Sequence, residues 1–162
     1  NYMMKIIYMI KVLTTLLFIS SGVFAAASSD DSSSSMSADE QVINLYDKAY
    51  DLVYNKEFDK SIKLLEKIAK RKDLGNKKAD VYNLLGFSYR KLTKPNLDKA
   101  FDAYQIALEA NPEHLGAHEY LGELYITLGN MDKANEMLLN LENIAGTSTM
   151  EYIKLKNALD NS

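Results

Sequence analysis

His114 and His118 stand four residues apart, with Glu113 and Glu119 beside them. On a helix that spacing turns both imidazoles to one side, as two ligands of a zinc ion require, so a metal or small-ligand carrier is one function to weigh. The pattern names no third ligand, and its order is not the His-Glu-x-x-His of zinc hydrolases, so no metal site is expected. Catalytic chemistry finds no other foothold. There is no cysteine, which excludes thiol nucleophiles, disulfides, thiolate metal sites and lipoprotein-type acylation. No serine sits in a nucleophile elbow, and the seven glycines are isolated, so neither an acyl-transfer centre nor a phosphate-cradling loop is encoded. The expectation is therefore of no enzyme, no catalytic residues and no cofactor. What the chain does carry is a run of tyrosines, Tyr46, Tyr50 and Tyr54, spaced i, i+4 and i+8. Such a ladder along one helix side offers large, rigid contact area at small entropic cost, which is the chemistry of binding.

Composition bounds the scaffold that must hold these groups. Of 162 residues, 47% are apolar and 25% charged, with seven Gly and two Pro. That mixture excludes a long disordered chain and a polytopic membrane protein, and its wealth of Leu, Ala, Lys, Glu and Asn favours helices over a turn-rich sheet. Residues 1–27 are expected to form a signal peptide: Lys5 and Lys11 precede an apolar run from Val12 to Phe24, followed by Ala25, Ala26 and Ala27. Initiation is expected at Met3, Met4 or Met9, and cleavage after Ala25 or Ala27. An uncleaved N-terminal membrane anchor is disfavoured, because Val12 to Ala27 supplies 16 residues, four of them Ser or Thr, against the roughly 20 that span a bilayer. Residues 28–40 are rich in Ser and Asp and too polar to offset their ordering entropy, so they are expected to be a flexible linker. A chain processed in this way carries a net charge of −5 instead of −3, which argues against nucleic acid as a partner.

From Gln41 onward, apolar residues recur at helical spacing in segments broken at Asn55-Lys56, Asp73 to Asn76, Thr93 to Pro95, Asn111-Pro112, Gly129-Asn130 and Gly146-Thr147. Seven helices of some 12 to 16 residues are predicted. Ser37-x-x-Glu40 and Ser148-x-x-Glu151 have the form of capping boxes, and Asn111-Pro112 that of a capping side chain followed by proline at the first helical position. The segments also repeat. Tyr82-x-x-Leu85-Gly86-x-x-Tyr89, with Ala100, Tyr104, Ala107 and Pro112 behind it, recurs 36 residues on as His118-x-x-Leu121-Gly122-x-x-Tyr125, with Ala134, Leu138 and Leu141. Leu45, Ala49, Leu52, Phe58, Ser61, Leu65 and Ile68 form a degenerate earlier copy.

This pattern resembles the tetratricopeptide repeat (TPR), with departures at Lys48, His118 and Gly146. The resemblance implies an all-α fold, a right-handed α-solenoid of three helix-turn-helix TPR repeats over residues 42–75, 79–112 and 115–146. A C-terminal capping helix over 148–160 would complete a TPR domain of 41–162, with Tyr152, Ile153 and Leu155 covering the last apolar face. It also implies binding of a protein or peptide segment in a concave groove lined by the first helices. The groove positions are Ile43, Tyr46, Tyr50 and Tyr54; Asn83, Phe87, Arg90 and Lys91; and Glu119, Glu123, Ile126 and Thr127. Members that grip a terminal carboxylate use Lys, Asn and Arg where this chain has Tyr46, Tyr50, Leu84 and Gly116, so that clamp is absent. Net charge runs from +5 over Lys56 to Lys78 to −5 over Glu113 to Ser162. The outer Lys63, Lys67, Lys70, Arg71 and Lys72 suit anionic lipid or an acidic partner, and the polarity suits head-to-tail self-association. The expectation that follows is a scaffold or adaptor in the periplasm of a Gram-negative bacterium. The alternative is a structural subunit or assembly factor of an envelope complex, acting through its charged convex face and ends and peripherally associated with the envelope.

Overall fold

A computed structural model describes residues 37–162, which place seven α-helices in chain order: α1 (Ala38–Tyr54), α2 (Phe58–Ala69), α3 (Lys78–Arg90), α4 (Leu97–Ala110), α5 (Leu115–Thr127), α6 (Met131–Ala145) and α7 (Met150–Asp160). The expected signal peptide at 1–27 lies outside the described residues, as does most of the expected linker. Among the described residues there is no strand, and no helix is long and apolar enough to cross a membrane.

Five of these helices, α1 and α4 to α7, start where a side chain accepts an otherwise orphaned amide, and three starts refine the expected boundaries. Ser37 and Glu40 form the reciprocal box that spacing predicts, so α1 begins at Ala38, inside the stretch assigned to the linker. Asn96 and Asn130 cap α4 and α6 by accepting from Lys99 and Lys133. Asn111-Pro112 does not open α5, because the Asn111 side chain accepts from the Glu113 amide in a turn and His114 takes over as the cap. Likewise α7 is capped by Thr149, which accepts from Tyr152, and Ser148 is not the capping residue. The turn after α5 uses Gly129 at φ +74°, while the matching turn after α1 uses Lys56 at φ +60° with the same pair of backbone bonds.

The helices pair as α1 with α2, α3 with α4 and α5 with α6, and each pair packs on the next. Leu65, Ile68, Val81, Tyr104, Leu121, Leu124, Leu141 and Leu155 are fully buried between them. Small residues allow the closest approaches. A Cβ at Gly86 would stand 2.6 Å from the Tyr104 ring, and one at Gly122 would stand 2.5 Å from the Leu155 side chain of α7. The buried Ser61 of α2 donates to the Ala49 carbonyl at 3.2 Å and lies 3.4 Å from the Ser88 hydroxyl of α3, which donates to Leu84. The three first helices, α1, α3 and α5, touch in succession and so present one continuous face.

Candidate functional site

That face is aromatic. Phe87 of α3 stands 6.3 Å from Phe58 and 5.0 Å from Tyr120 of α5, and Tyr120 lies 6.2 Å from the buried Tyr104, so rings run unbroken from one unit to the next. On α1, Tyr50 and Tyr54 are 43% and 52% exposed, with Ile43 exposed beside them. Tyr46 is half-buried under the Lys77 ammonium, which sits 4.9 Å from its ring centre. Burial first, then neighbouring Asp80, Tyr50, Asp47 and Tyr120, hold its phenol well above the ordinary tyrosine range. Arg90 forms an ion pair with Glu123 and lies 5.6 Å above the Tyr120 ring, while Lys91 lies 5.5 Å above Phe87. The rings thus carry cations on their faces, each of which pulls on the ring quadrupole.

A polar edge borders the rings. Asp80 accepts from Lys77 at 2.8 Å and from His114 Nε2 at 3.2 Å, and the His114 bond first, offset in part by burial, holds its carboxyl below the usual carboxylate range. His114 Nδ1 accepts the Ala117 amide, which leaves the proton on Nε2 facing Asp80. His118 turns elsewhere, donating from Nε2 to the Pro112 carbonyl at 2.8 Å, and burial lowers its basicity. The two imidazoles that spacing places on one helix side therefore serve separate partners, and among the described residues no group of three His, Cys, Asp or Glu is gathered for a metal ion.

The expected groove residues fare differently from one another. Tyr46, Tyr50, Phe87, Arg90 and Glu123 are brought together through the contacts above. Asn83 is half-buried; Gly116 leaves room for its amide nitrogen, and its Oδ1 is enclosed without a partner among the described residues. Ile126 packs sideways against the core and Thr127 bonds back to Glu123. Glu119 departs from expectation. It is 2% exposed, because α7 lies over this turn of α5 and brings Lys154 Nζ to 3.4 Å from its carboxylate. Burial, partly countered by Lys154, pushes its carboxyl up to about 7. The residue that spacing missed is Tyr120, which joins Phe87, Arg90 and Tyr104. Its signal is local: it stands three residues before Glu123 and so shares that side of α5.

No family model matches the chain, and no curated protein matches it in sequence. Solved structures do match. MamA is similar with a TM-score of 0.61 at 23% identity, over 74% of this chain and 67% of that one. The Yersinia enterocolitica type III secretion translocator chaperone SycD is similar with a TM-score of 0.63 at 12% identity, over 76% and 90%. PcrH, in complex with the chaperone binding region of PopB, is similar with a TM-score of 0.62 at 14% identity, over 75% and 94%. Three helix pairs followed by a terminal helix, the repeated Leu-Gly notch and these likenesses agree: the chain has the fold of the tetratricopeptide-like helical repeat proteins.

Proposed function

We propose that this chain is a binding module that holds a segment of another protein against the aromatic face of α1, α3 and α5, without chemistry of its own. The observation that carries this is the ring series from Phe58 through Phe87 to Tyr120, with the phenol of Tyr50 close enough to those of Tyr46 and Tyr120 to raise the pKa of both, and Tyr50 and Tyr54 presenting exposed surface at its edge. Rigid rings with cations on their faces and a short polar border suit a ligand that offers apolar side chains between polar ones. PcrH is seen with the chaperone binding region of PopB and SycD with a peptide of the translocator YopD, so this kind of scaffold accommodates protein segments. The apolar run behind Lys5 and Lys11 supports export, and a periplasmic site of action is part of the proposal.

The test uses the tagged full chain as bait in envelope extract, beside Tyr50→Ala/Tyr54→Ala and a control bearing Lys63→Glu. A protein held by the wild type and the control, and lost from the tyrosine variant at unchanged helicity, supports the aromatic face. Equal retention by all three overturns it. Release of the chain by osmotic shock, with a cytoplasmic marker retained, is expected; retention with that marker overturns the periplasmic assignment.

A further inference from the structure

We propose that the outer faces of α2 and α4 form a self-complementary interface through which two copies of this chain pair. On α2, Ser61, Ile62, Leu65 and Ile68 are buried, and Lys63 and Lys67, with Lys70 at the helix's C-terminal cap, lie exposed on the opposite side at i, i+4 and i+7. On α4, Ala100, Ala103, Tyr104 and Ala107 are buried, and Asp98, Asp102 and Glu109 lie exposed opposite them at i, i+4 and i+11. Each set follows one helix side over two to three turns; Asp59, one turn before Lys63, shares the side that is otherwise basic, and the neutral Gln105 lies within the acidic one. None of these six side chains has an ion-pair or hydrogen-bond partner among the described residues. The two helices do not pack on each other but lie within side-chain reach, since the Nζ of Lys99 of α4 stands 3.9 Å from Glu66 of α2.

A second copy is the occupant these charges favour. In a two-fold arrangement α2 of one copy meets α4 of the other twice over, so both stripes are neutralised by the same operation. An anionic membrane suits the lysines alone, and it would bring Asp98, Asp102 and Glu109 on the adjacent helix against a surface of their own sign. The interface is separate from the aromatic face of α1, α3 and α5, so pairing leaves that face of each copy open.

The experiment is sedimentation equilibrium of the full chain across a dilution series at ~50 mM and ~500 mM salt, a range that shortens charge screening several-fold. The wild type is expected to approach twice the monomer mass at low salt and to dissociate at high salt. Lys63→Glu/Lys67→Glu/Lys70→Glu and Asp98→Lys/Asp102→Lys/Glu109→Lys are each expected to weaken pairing by ~10-fold or more, because like charges then face each other. Mixing the two variants restores opposite charge at both contacts, and so does combining all six substitutions in one chain; either is expected to recover pairing, with circular dichroism confirming the fold. Mass that is monomeric in the wild type, or indifferent to both charge reversals, or unrecovered on mixing two folded variants, overturns the proposal. So does a monomeric wild type that sediments with phosphatidylglycerol vesicles and loses them on lysine reversal, which would assign the stripe to a lipid surface.

Discussion

Gly86 and Gly122 occupy the same place in successive units yet meet different neighbours. Gly86 is filled by the Tyr104 ring of its own unit, and Gly122 by Leu155 of the terminal helix. A ring on a fully buried side chain yields less readily than the branched end of a leucine. Gly86→Ala is therefore expected to destabilise by about 1–3 kcal/mol despite the better helix propensity of Ala, and Gly122→Ala by less, as urea unfolding of both would show. Glu119 gives a second expectation. Its carboxyl titrates near 7 in the folded chain against 4.5 ordinarily, so the folded state binds the proton more tightly than the unfolded state does. Its contribution is then fully present below about pH 4.5 and is lost as pH rises through about 7. Wild type is expected to lose roughly 1–3 kcal/mol relative to Glu119→Gln between those limits, measured as the difference of their unfolding free energies against pH. The helix register alone puts Glu119 on the groove side, and nothing local to α5 reveals that Lys154 will cover it from α7, thirty-five residues away.

The terminal helix α7 shows how a capping signal becomes ambiguous. Ser148 and Thr149 are adjacent hydroxyls, and Glu151 three residues after Ser148 completes the form of a box. The chain instead places Thr149 at the cap, because Leu155 must reach the Gly122 notch while Tyr152 packs against the core, and that docking sets where the first turn begins. Thr149→Ala is expected to cost about 0.5–2 kcal/mol, seen as faster amide exchange along α7, whereas Ser148→Ala leaves exchange there unchanged. The box at Ser37 was legible because, of the serines from Ser32 to Ser37, it alone has Glu or Gln three residues on, and no hydroxyl or proline adjoins it. Asn111 followed by Pro112 looks like a helix start from spacing alone, but its side chain bonds only two residues on and the helix opens at His114.

Repetition made the fold legible in full outline, since Leu85-Gly86 and Leu121-Gly122 can be superimposed on the sequence before any packing is known. The candidate groove was legible in part. Its register followed from the repeat and supplied Tyr46, Tyr50, Phe87, Arg90 and Glu123, while Tyr120 occupies a place where the repeat specifies no residue type and gains its role through contact with Phe87, Arg90 and Tyr104 on the preceding unit. In such an array stability grows with the number of neighbouring units, so amide protection is expected to be highest in α3, α4 and α5 and lowest in α1 and α7. Hydrogen-exchange mass spectrometry checks this, and a terminal helix more protected than α4 would contradict it. The contact of Ser61 with Ser88 has a different use. Those hydroxyls lie 3.4 Å apart between α2 and α3 in a chain that contains no cysteine, so Ser61→Cys/Ser88→Cys would introduce two facing thiols without rivals. Sulfur at these positions joins covalently where the compartment is oxidising and stays reduced where glutathione prevails. The gel mobility of that variant, drawn from living cells with and without reductant, would therefore record whether the folded chain occupies an oxidising or a reducing compartment.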